Sequence, residues 1–151
     1  MTDHLDQQDH PDRQGPFWDV VRGEAPAPAA ATTLGWQLRS IDPEAGTIEV
    51  GFEAAPAFVN PVGVIQGGFL AAMLDDTLGP ALVATLGPGQ FAPTLELNVQ
   101  YLRPARPGAL VGRGRVIHRT SSVAFLAGEL ADPSGTVVAT ASATVAIRSM
   151  G

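Results

Sequence analysis

Residues 60–76 read NPVGVIQGGFLAAMLDD, and this stretch decides how the rest of the chain is interpreted. A Gly-Gly pair opens an apolar segment, and an amide side chain, Gln66, stands just before that pair. Two acids, Asp75 and Asp76, follow inside the apolar segment. Acidic residues are rarely fully buried unless they are paired, and aspartate is a poor residue for a helix interior. These two acids therefore need a chemical or structural reason to be there.

The apolar segment predicts a long buried helix from about Gly67 to Leu86, because its side chains are apolar almost all round. Pro80 lies inside this helix and has no N–H, so it leaves the Asp76 carbonyl without its helical hydrogen bond and predicts a kink. The sequence Gly-Pro-Gly at 87–89 is expected to end the helix.

Six strands are predicted around the helix from alternating patterns and turn sequences. Two precede it and four follow it, at about 33–40, 47–53, 93–102, 109–118, 122–131 and 136–148. Because a helix and a sheet must cover each other, this order predicts an α+β fold with a curved, mainly antiparallel six-stranded sheet wrapped around the helix. One helix cannot cover both faces of such a sheet, so the open face or an edge is expected to meet a second copy.

The segment before the first strand is predicted to lie outside this domain. Residues 1–15 are polar and expected to be disordered, and residues 16–22 are expected to form a short helix. The Ala/Pro stretch at 25–31 is typical of a linker. The predicted division is therefore a tail, a short helix and a linker over 1–32, followed by one domain over 33–151.

Length and composition limit the class of protein. The chain has 151 residues, of which 45% are hydrophobic, and this suits a globular domain better than a disordered protein. It has no cysteine, which excludes disulfides and thiolate metal sites. It has no apolar run of about 18 residues, so no membrane span is expected. The N-terminus has no signal-sequence pattern, and a cytoplasmic protein is expected.

The net charge of −6 is unevenly distributed. Residues 1–89 hold 12 acids and three arginines, whereas residues 90–151 hold three acids and six arginines. All nine basic residues are arginine, and five of them lie between Arg103 and Arg119. Codon composition would explain this preference, and so would a small phosphorylated ligand, because arginine suits phosphate. Nucleic acid is not expected, since aromatic residues make up 6% and no basic run is interleaved with them.

Other catalytic chemistries find little support in the sequence. His4 and His10 lie in the polar N-terminal segment and His118 stands alone, so no metal site is expected. The chain has no G-x-S-x-G nucleophile elbow and no H-E-x-x-H motif. No glycine-rich phosphate loop precedes the helix. These observations argue against a serine hydrolase, a zinc hydrolase and a P-loop protein.

The order of elements and the motif on the helix resemble the hotdog-fold acyl-CoA thioesterases of the phenylacetate-degradation (PaaI-like) type. That family carries Asn, five residues, His-Gly-Gly, and an acid seven residues past the second glycine. Asn60 stands six positions before Gln66, and Asp75 lies seven past Gly68. The resemblance covers about 33–148. Gln66 replaces the usual histidine, and it keeps a donor and an acceptor but cannot titrate near neutrality.

The resemblance implies acyl-CoA hydrolysis, and elementary chemistry agrees for two residues. Hydrolysis builds negative charge on the thioester carbonyl oxygen, and a helix N-terminus offers free N–H groups to such an oxygen. Glycine lets a ligand approach closely, so the Gly67 N–H is the expected polarising donor. Asp75 can act as base or nucleophile. Gln66 and Asn60 are further candidates, and the resemblance implies a hydroxyl near the attacking water, here Thr94.

Each of these residues also has a purely structural interpretation. Asp75 could bond neighbouring backbone, in which case Asp76 could be the catalytic acid instead. Gln66 and Asn60 could simply bond loop backbone, and Gly67 could be needed only for tight packing. Thr94 could be an ordinary strand threonine.

Helix geometry predicts that the site is shared between two copies. Gly67 and Asp75 are eight residues apart on one helix, which places them about 12 Å apart along its axis. A general base must come within about 3 Å of its proton, directly or through one water. Two antiparallel copies of the helix could bring Gly67 of one near Asp75 of the other. A homodimer or a dimer of dimers is therefore expected, and the resemblance implies the same.

Coenzyme A is expected to contact basic and hydroxyl groups in exposed turns, with no separate cofactor and no metal. The resemblance implies such contacts in the turn that holds His118, Arg119 and Ser121, and Arg103 and Arg106 flank a second turn. Gly68 is a further expected substrate contact. Each arginine could equally be a solvated surface charge. The alternative function is a non-catalytic acyl-CoA-binding or regulatory hotdog module, since Gln66 replaces histidine. A hotdog hydratase would want an Asp and His pair on the helix and its loop, and this helix has no histidine.

Overall fold

A computed structural model describes residue 10 and residues 12–151 of the chain. Three α-helices, one 3-10 turn and eight strands follow one another in the described part. In chain order they are α1 Pro16–Val21, α2 Ala29–Leu34, β1 Gln37–Asp42, β2 Thr47–Ala54, the 3-10 turn Pro56–Phe58, α3 Gly67–Val83, β3 Gln90–Phe91, β4 Thr94–Tyr101, β5 Gly108–Arg119, β6 Val123–Ala131, β7 Val137–Ala146 and β8 Arg148–Ser149.

Six strands form one sheet in the order β1-β2-β5-β6-β7-β4, and every neighbouring pair is antiparallel. The long helix α3 packs across one face of this sheet, mainly against β5 and β6. The predicted α+β fold, with one long helix wrapped by a six-stranded antiparallel sheet, is confirmed. The short strands β3 and β8, which form a separate pair, were not predicted.

Glycines in the centre of the sheet let α3 approach closely. A methyl group added at Gly112 would overlap the hydroxyl of Thr77, a residue that is fully buried on α3. A methyl group at Gly128 would lie 2.8 Å from the Leu78 side chain and 2.6 Å from the Arg113 carbonyl oxygen. The helix-facing surface of β5 and β6 is therefore shaped by missing side chains, which fixes how deeply the helix sits.

The N-terminal segment differs from the sequence prediction. Helix α2 occupies part of the predicted linker and the start of the first predicted strand, which begins at Gln37 instead. Leu34 of α2 and Trp18 of α1 are buried in the same hydrophobic core as α3. A six-residue helix is marginal alone, so this packing, rather than local propensity, holds α2 in place. The boundary between residues 32 and 33 stays a prediction.

The predicted disorder of residues 1–15 can be compared with the structure only in part, because residues 1–9 and 11 lie outside the described residues. It is wrong for Arg13, whose Nη1 donates a hydrogen bond to the Ala84 carbonyl oxygen at 2.8 Å. This guanidinium satisfies a free carbonyl at the C-terminus of α3. A charged side chain that caps a distant helix leaves no local sequence signal.

Pro80 has no N–H and cannot donate to the Asp76 carbonyl, as predicted, and another donor replaces it. Trp36, just before β1, donates its indole N–H to that oxygen at 2.9 Å. The helix ends at Val83, and single turns continue to Leu86, the predicted end. The indole thus replaces the hydrogen bond that proline cannot make.

Candidate active site

The loop between β2 and α3 is anchored on the first turn of the helix. The rings of Phe58 and Phe69 are stacked, with centroids 4.1 Å apart and an angle of 6° between their planes. The Gln66 amide donates to the Phe58 carbonyl oxygen at 2.9 Å, and the Ile65 amide donates to the Ala105 carbonyl oxygen at 2.8 Å. These contacts bring the start of α3 beside the turn that follows β4.

The helix N-terminus is open to a ligand. Gln66 is extended, with φ −62° and ψ 137°, and no side chain among the described residues caps the helix there. The Phe69 amide bonds the Gln66 carbonyl oxygen, so the amides of Gly67 and Gly68 remain the first free donors. Gly68 is exposed, and its Cβ direction is clear of described atoms for 4 Å. An anionic oxygen could therefore reach these amides at the positive end of the helix dipole.

Tyr101, the last residue of β4, holds the first turn of α3. Its hydroxyl donates to the Gly67 carbonyl oxygen at 2.9 Å. A Cβ added at Gly67 would lie 3.0–3.2 Å from the Tyr101 ring and hydroxyl. The glycine is thus needed for packing as well as for access. The sequence interpretation missed Tyr101, because a contact between residues 34 positions apart has no periodic signature.

The two acids lie on different flanks of α3. Asp76 is half-buried on the side where Trp36 bonds its carbonyl, and its Oδ2 is buried without a donor from the described chain. Asp75 lies about 100° further around the helix and is exposed. The exposed Ala72 lies between the two acids on the helix surface. Asp75 is therefore the acid that a substrate or a second copy can reach.

Burial and, to a lesser degree, the charge of Asp75 raise the pKa of the Asp76 carboxyl from its ordinary 3.8 to about 6. Between about pH 4 and 6 the folded chain therefore binds more protons than the unfolded chain at this group. The contribution of Asp76 to the free energy of unfolding falls as the pH rises through that window and is constant above it.

We expect Asp76→Asn to remove this pH-dependent penalty. The free energy of unfolding of the variant minus that of the wild type should be about 1 kcal/mol larger at pH 7 than at pH 4. This value is reduced because Asp76 is partly exposed. Urea unfolding of both proteins at the two pH values measures the difference, in which the titration of groups that do not interact with Asp76 cancels. The same difference in the free energy of unfolding at both pH values would show that burial does not raise the pKa of the Asp76 carboxyl.

Gly67 and Asp75 are not brought together within one chain. Both lie on the single continuous helix α3, so the separation of about 12 Å along the axis stands. Thr94 is exposed at the start of β4, at the opposite end of that strand from Tyr101. About 23 Å of strand separates the two residues. Within one chain, Thr94 therefore does not lie near the Gly67 amide.

Asn60 has a structural role in its own loop. Its Oδ1 accepts the Val62 amide at 3.1 Å and the Val64 amide at 3.3 Å. This pattern closes the tight turn before the helix and supports the loop-bonding interpretation of Asn60. The Gln66 side chain, in contrast, is exposed beside the open amides, where it can reach a ligand.

The expected coenzyme A contacts form two groups at opposite ends of α3. Arg103 and Arg106 are exposed in the turn after β4, next to the helix N-terminus, and Arg103 Nη1 donates to the Val137 carbonyl oxygen at 2.8 Å. Arg119 lies at the other end, where its Nη1 donates to the carbonyl oxygen and the hydroxyl of Thr85 at 3.0 and 2.7 Å. A helix of 17 residues, about 25 Å long, separates the two groups.

His118 and Ser121 are exposed beside Arg119, at the C-terminal end of α3. Arg119 is partly committed as a helix cap, but a guanidinium has five N–H donors and retains others for a ligand. No side chain of this turn lies next to Gly67 in the same chain, because the length of α3 intervenes.

Three further features bear on the kind of site. Among residues 12–151 and His10, no cluster of three or more His, Asp or Glu could hold a metal ion. No helix in the described part is long and apolar enough to cross a membrane. A groove of about 650 Å³ lies on the sheet face away from α3, where Arg113 pairs with Glu49 at 3.0 Å. That groove is a solvated ion-pair surface, remote from the open helix end.

A family model of the thioesterase superfamily matches residues 62–139, just over half of the chain. The chain is also 48% identical to a phenylacetic acid degradation-related protein from Ralstonia eutropha JMP134, which is described as a candidate thioesterase. That match covers 87% of this chain and 99% of the other, with a TM-score of 0.85. The chain belongs to the thioesterase superfamily. The hotdog fold and the resemblance to the phenylacetate-degradation type are confirmed.

Two solved structures of lower sequence identity share the fold. The PaaI protein from the phenylacetic acid degradation operon of E. coli is 20% identical, with a TM-score of 0.76 over 89% of this chain and 94% of that one. A Streptococcus mutans UA159 protein bound to acetyl-CoA is 23% identical, with a TM-score of 0.69 over 76% and 89%. A search of curated proteins finds no significant match. Superfamily membership supports a thioester hydrolase as the general class of activity.

Proposed function

We propose that this protein hydrolyses an acyl-CoA thioester to a free acid and coenzyme A, at a site shared between two subunits. One observation carries the proposal. The thioesterase-superfamily helix α3 presents an uncapped Gly-Gly N-terminus and, on its exposed flank, Asp75. The cytoplasmic location expected from the sequence stays a prediction.

The first step is polarisation of the thioester carbonyl. Its oxygen would accept the Gly67 N–H, which lies at the positive end of the helix dipole and is not capped by any side chain of the described residues. This donor is fixed in the fold before the substrate arrives, so it stabilises the developing oxyanion without reorganisation. The adjacent Gly68 amide and the exposed Gln66 side chain would help to hold the same oxygen or the attacking water.

The second step is attack on the polarised carbon, for which Asp75 has two courses. As a base, its carboxylate takes a proton from water while the water oxygen bonds to the carbon, and the C–S bond then breaks to release the coenzyme A thiol. As a nucleophile, its carboxylate bonds to the acyl carbon while the C–S bond breaks and the coenzyme A thiolate leaves; water then hydrolyses the mixed anhydride to the free acid, which regenerates the carboxylate, and the thiolate takes up the remaining proton. The exposed position of Asp75 suits both courses, and Thr94 is the proposed hydroxyl near the water.

A second subunit is proposed because one chain separates the two groups by about 12 Å. The edge strand β4 pairs only with β7 within the described chain, and it exposes Leu95 (62%) and Tyr101 (53%). A free eight-residue edge with apolar side chains is a ready template for strand pairing. Antiparallel pairing of two β4 strands would lay the two α3 helices side by side in opposite directions. Gly67 would then approach Asp75 of the partner subunit.

The same arrangement would unite the two groups of basic residues. The N-terminal end of one α3 would lie near the C-terminal end of the other, so Arg103 and Arg106 of one subunit would approach His118, Arg119 and Ser121 of the partner subunit. Guanidinium groups suit the phosphates of coenzyme A. The acetyl-CoA bound to the S. mutans protein of the same fold supports this ligand class.

Release of the coenzyme A thiol tests the proposal. The purified protein would be incubated with acetyl-CoA, medium-chain acyl-CoAs and phenylacetyl-CoA, and the free thiol would be followed with a chromogenic disulfide. We expect enzyme-dependent release from at least one substrate. If coenzyme A or an acyl-CoA binds in calorimetry while no thiol is released, the non-catalytic binding module replaces the enzyme as the function.

Gln66 distinguishes these two functions further. We expect Gln66→Ala to lower kcat more than it lowers the melting temperature, because the side chain is exposed and caps nothing in the fold. Gln66→His should keep activity and add a pH dependence near about 6.5, the ordinary histidine pKa. Kinetics and thermal melting of both variants measure these effects. A large drop in melting temperature with unchanged kcat would show that Gln66 is structural.

A further inference from the structure

We propose that Tyr101 is a positioning residue for hydrolysis, which holds the first turn of α3 so that its free amides stay aimed at the thioester oxygen. The inference rests on the proposed function. It names a residue on the edge strand that acts through the Gly-Gly backbone rather than by touching the reacting atoms.

Tyr101 contacts Gly67 in two ways, through its hydroxyl and through its ring. The Tyr101 hydroxyl donates to the Gly67 carbonyl oxygen at 2.9 Å, and its ring lies 3.0–3.1 Å from the place where a Cβ would stand on Gly67. The hydroxyl therefore fixes the orientation of the peptide plane between Gly67 and Gly68. The ring blocks the space into which the turn could otherwise collapse.

The backbone of the first turn of α3 needs a restraint of this kind to keep a single conformation. Two consecutive glycines have more backbone freedom than any other pair, and no described side chain caps this helix end. Amides that fluctuate would be poor donors to an oxyanion, since stabilisation depends on their being fixed in advance. The bond from Tyr101 also polarises the Gly67–Gly68 peptide, which makes the Gly68 N–H a stronger donor.

The position of Tyr101 at the end of a strand lets it connect the helix N-terminus to the sheet. It is the last residue of β4, and the pairing of β4 with β7, with Tyr101 opposite Ala139, fixes its backbone position. A helix terminus is thereby tied to the sheet across 34 residues of chain. Half of the Tyr101 surface stays exposed, so the side chain is not simply part of the hydrophobic core.

Tyr101→Phe tests the inference, because it keeps the ring and removes the hydroxyl. Gln100→Ala is the matched control, since Gln100 is exposed on the same strand and points to the other face of the sheet. Kinetics on the best acyl-CoA would be combined with ¹⁵N relaxation of the Gly67 and Gly68 amides in the full chain. For Tyr101→Phe we expect about 10-fold lower kcat, with KM changed less than about twofold. The amide order parameters should fall from about 0.85 toward 0.6.

The outcomes separate the inference from the function on which it rests. Unchanged order parameters, or reduced ones with unchanged kcat, would overturn the positioning role while hydrolysis by the wild type stands. A raised KM with unchanged kcat would make Tyr101 a substrate contact and overturn it too. If the wild type hydrolyses no acyl-CoA, the proposed function is rejected together with any catalytic role of Tyr101, whatever the relaxation data show. Gln100→Ala should match the wild type in both measurements.

Discussion

Asp75→Asn is expected to lower kcat for acyl-CoA hydrolysis by about 100-fold or more, the usual size of an acid–base contribution. Asparagine keeps the shape of the side chain but can neither take a proton from water nor form an anhydride with the acyl group. Asp75 is exposed on α3, so the fold should tolerate the change. Steady-state kinetics and a melting curve of the variant measure both halves of this expectation.

Asp76→Asn is the matched control, because the two acids are adjacent on one helix. Asp76 is half-buried on the flank that faces Trp36, away from the open edge, and its substitution should leave kcat near that of the wild type. A larger loss from Asp76→Asn than from Asp75→Asn would move the catalytic role to Asp76. Wild-type activity in the Asp75 variant would reject it as the catalytic acid.

The elements that carry strong local patterns were predictable from the sequence. The helix start at Gly67 follows from a Gly-Gly pair before an apolar run, and the strand β7 follows from the alternation of small apolar and hydroxyl side chains over 139–145. The turn at 42–46 follows from its Asp-Pro and Gly residues, and Gly46 adopts φ +69° there. Local patterns suffice where backbone preference and burial agree.

Elements that depend on distant contacts were not predictable. Helix α2 is held by burial of Ala31 and Leu34, a contact that the local sequence does not reveal. The sequence therefore predicted that a strand begins at about residue 33. The bond from Trp36 that satisfies the Asp76 carbonyl spans 40 residues, and the proline alone indicated only that the carbonyl would be free. Packing against the rest of the domain overrides weak local propensity in both cases.

Some features of the candidate site were likewise predictable from the sequence, and others required the folded chain. The spacing of Asn60, Gln66, Gly67 and Asp75 could be found in the sequence, because all four lie on one loop and helix. The bonds of Asn60 inside its own turn and the contact of Tyr101 with Gly67 required the folded chain. The juxtaposition of Gly67 and Asp75 requires a second chain, since one helix holds them apart.

Restoring activity by mixing two inactive variants is the second large effect that we expect. Asp75→Asn removes the acid, and Gly67→Val displaces the polarising amide, because a side chain there collides with the Tyr101 ring and the first turn must shift. Each variant alone should retain about 1% of wild-type kcat. In equal mixtures half of the dimers are mixed, and each mixed dimer has one site with both intact residues. About a quarter of all sites should then be active, which is a gain of about 25-fold.

This mixing experiment tests the shared site most directly. The two variants, carrying different affinity tags, would be combined, allowed to exchange subunits and purified through both tags in sequence, so that only mixed dimers remain. The shared site predicts about half of the wild-type kcat per dimer for this species. Mixed dimers that stay at about 1%, or a wild-type protein that sediments as a monomer at micromolar concentration, would contradict a site built from Gly67 of one subunit and Asp75 of the other.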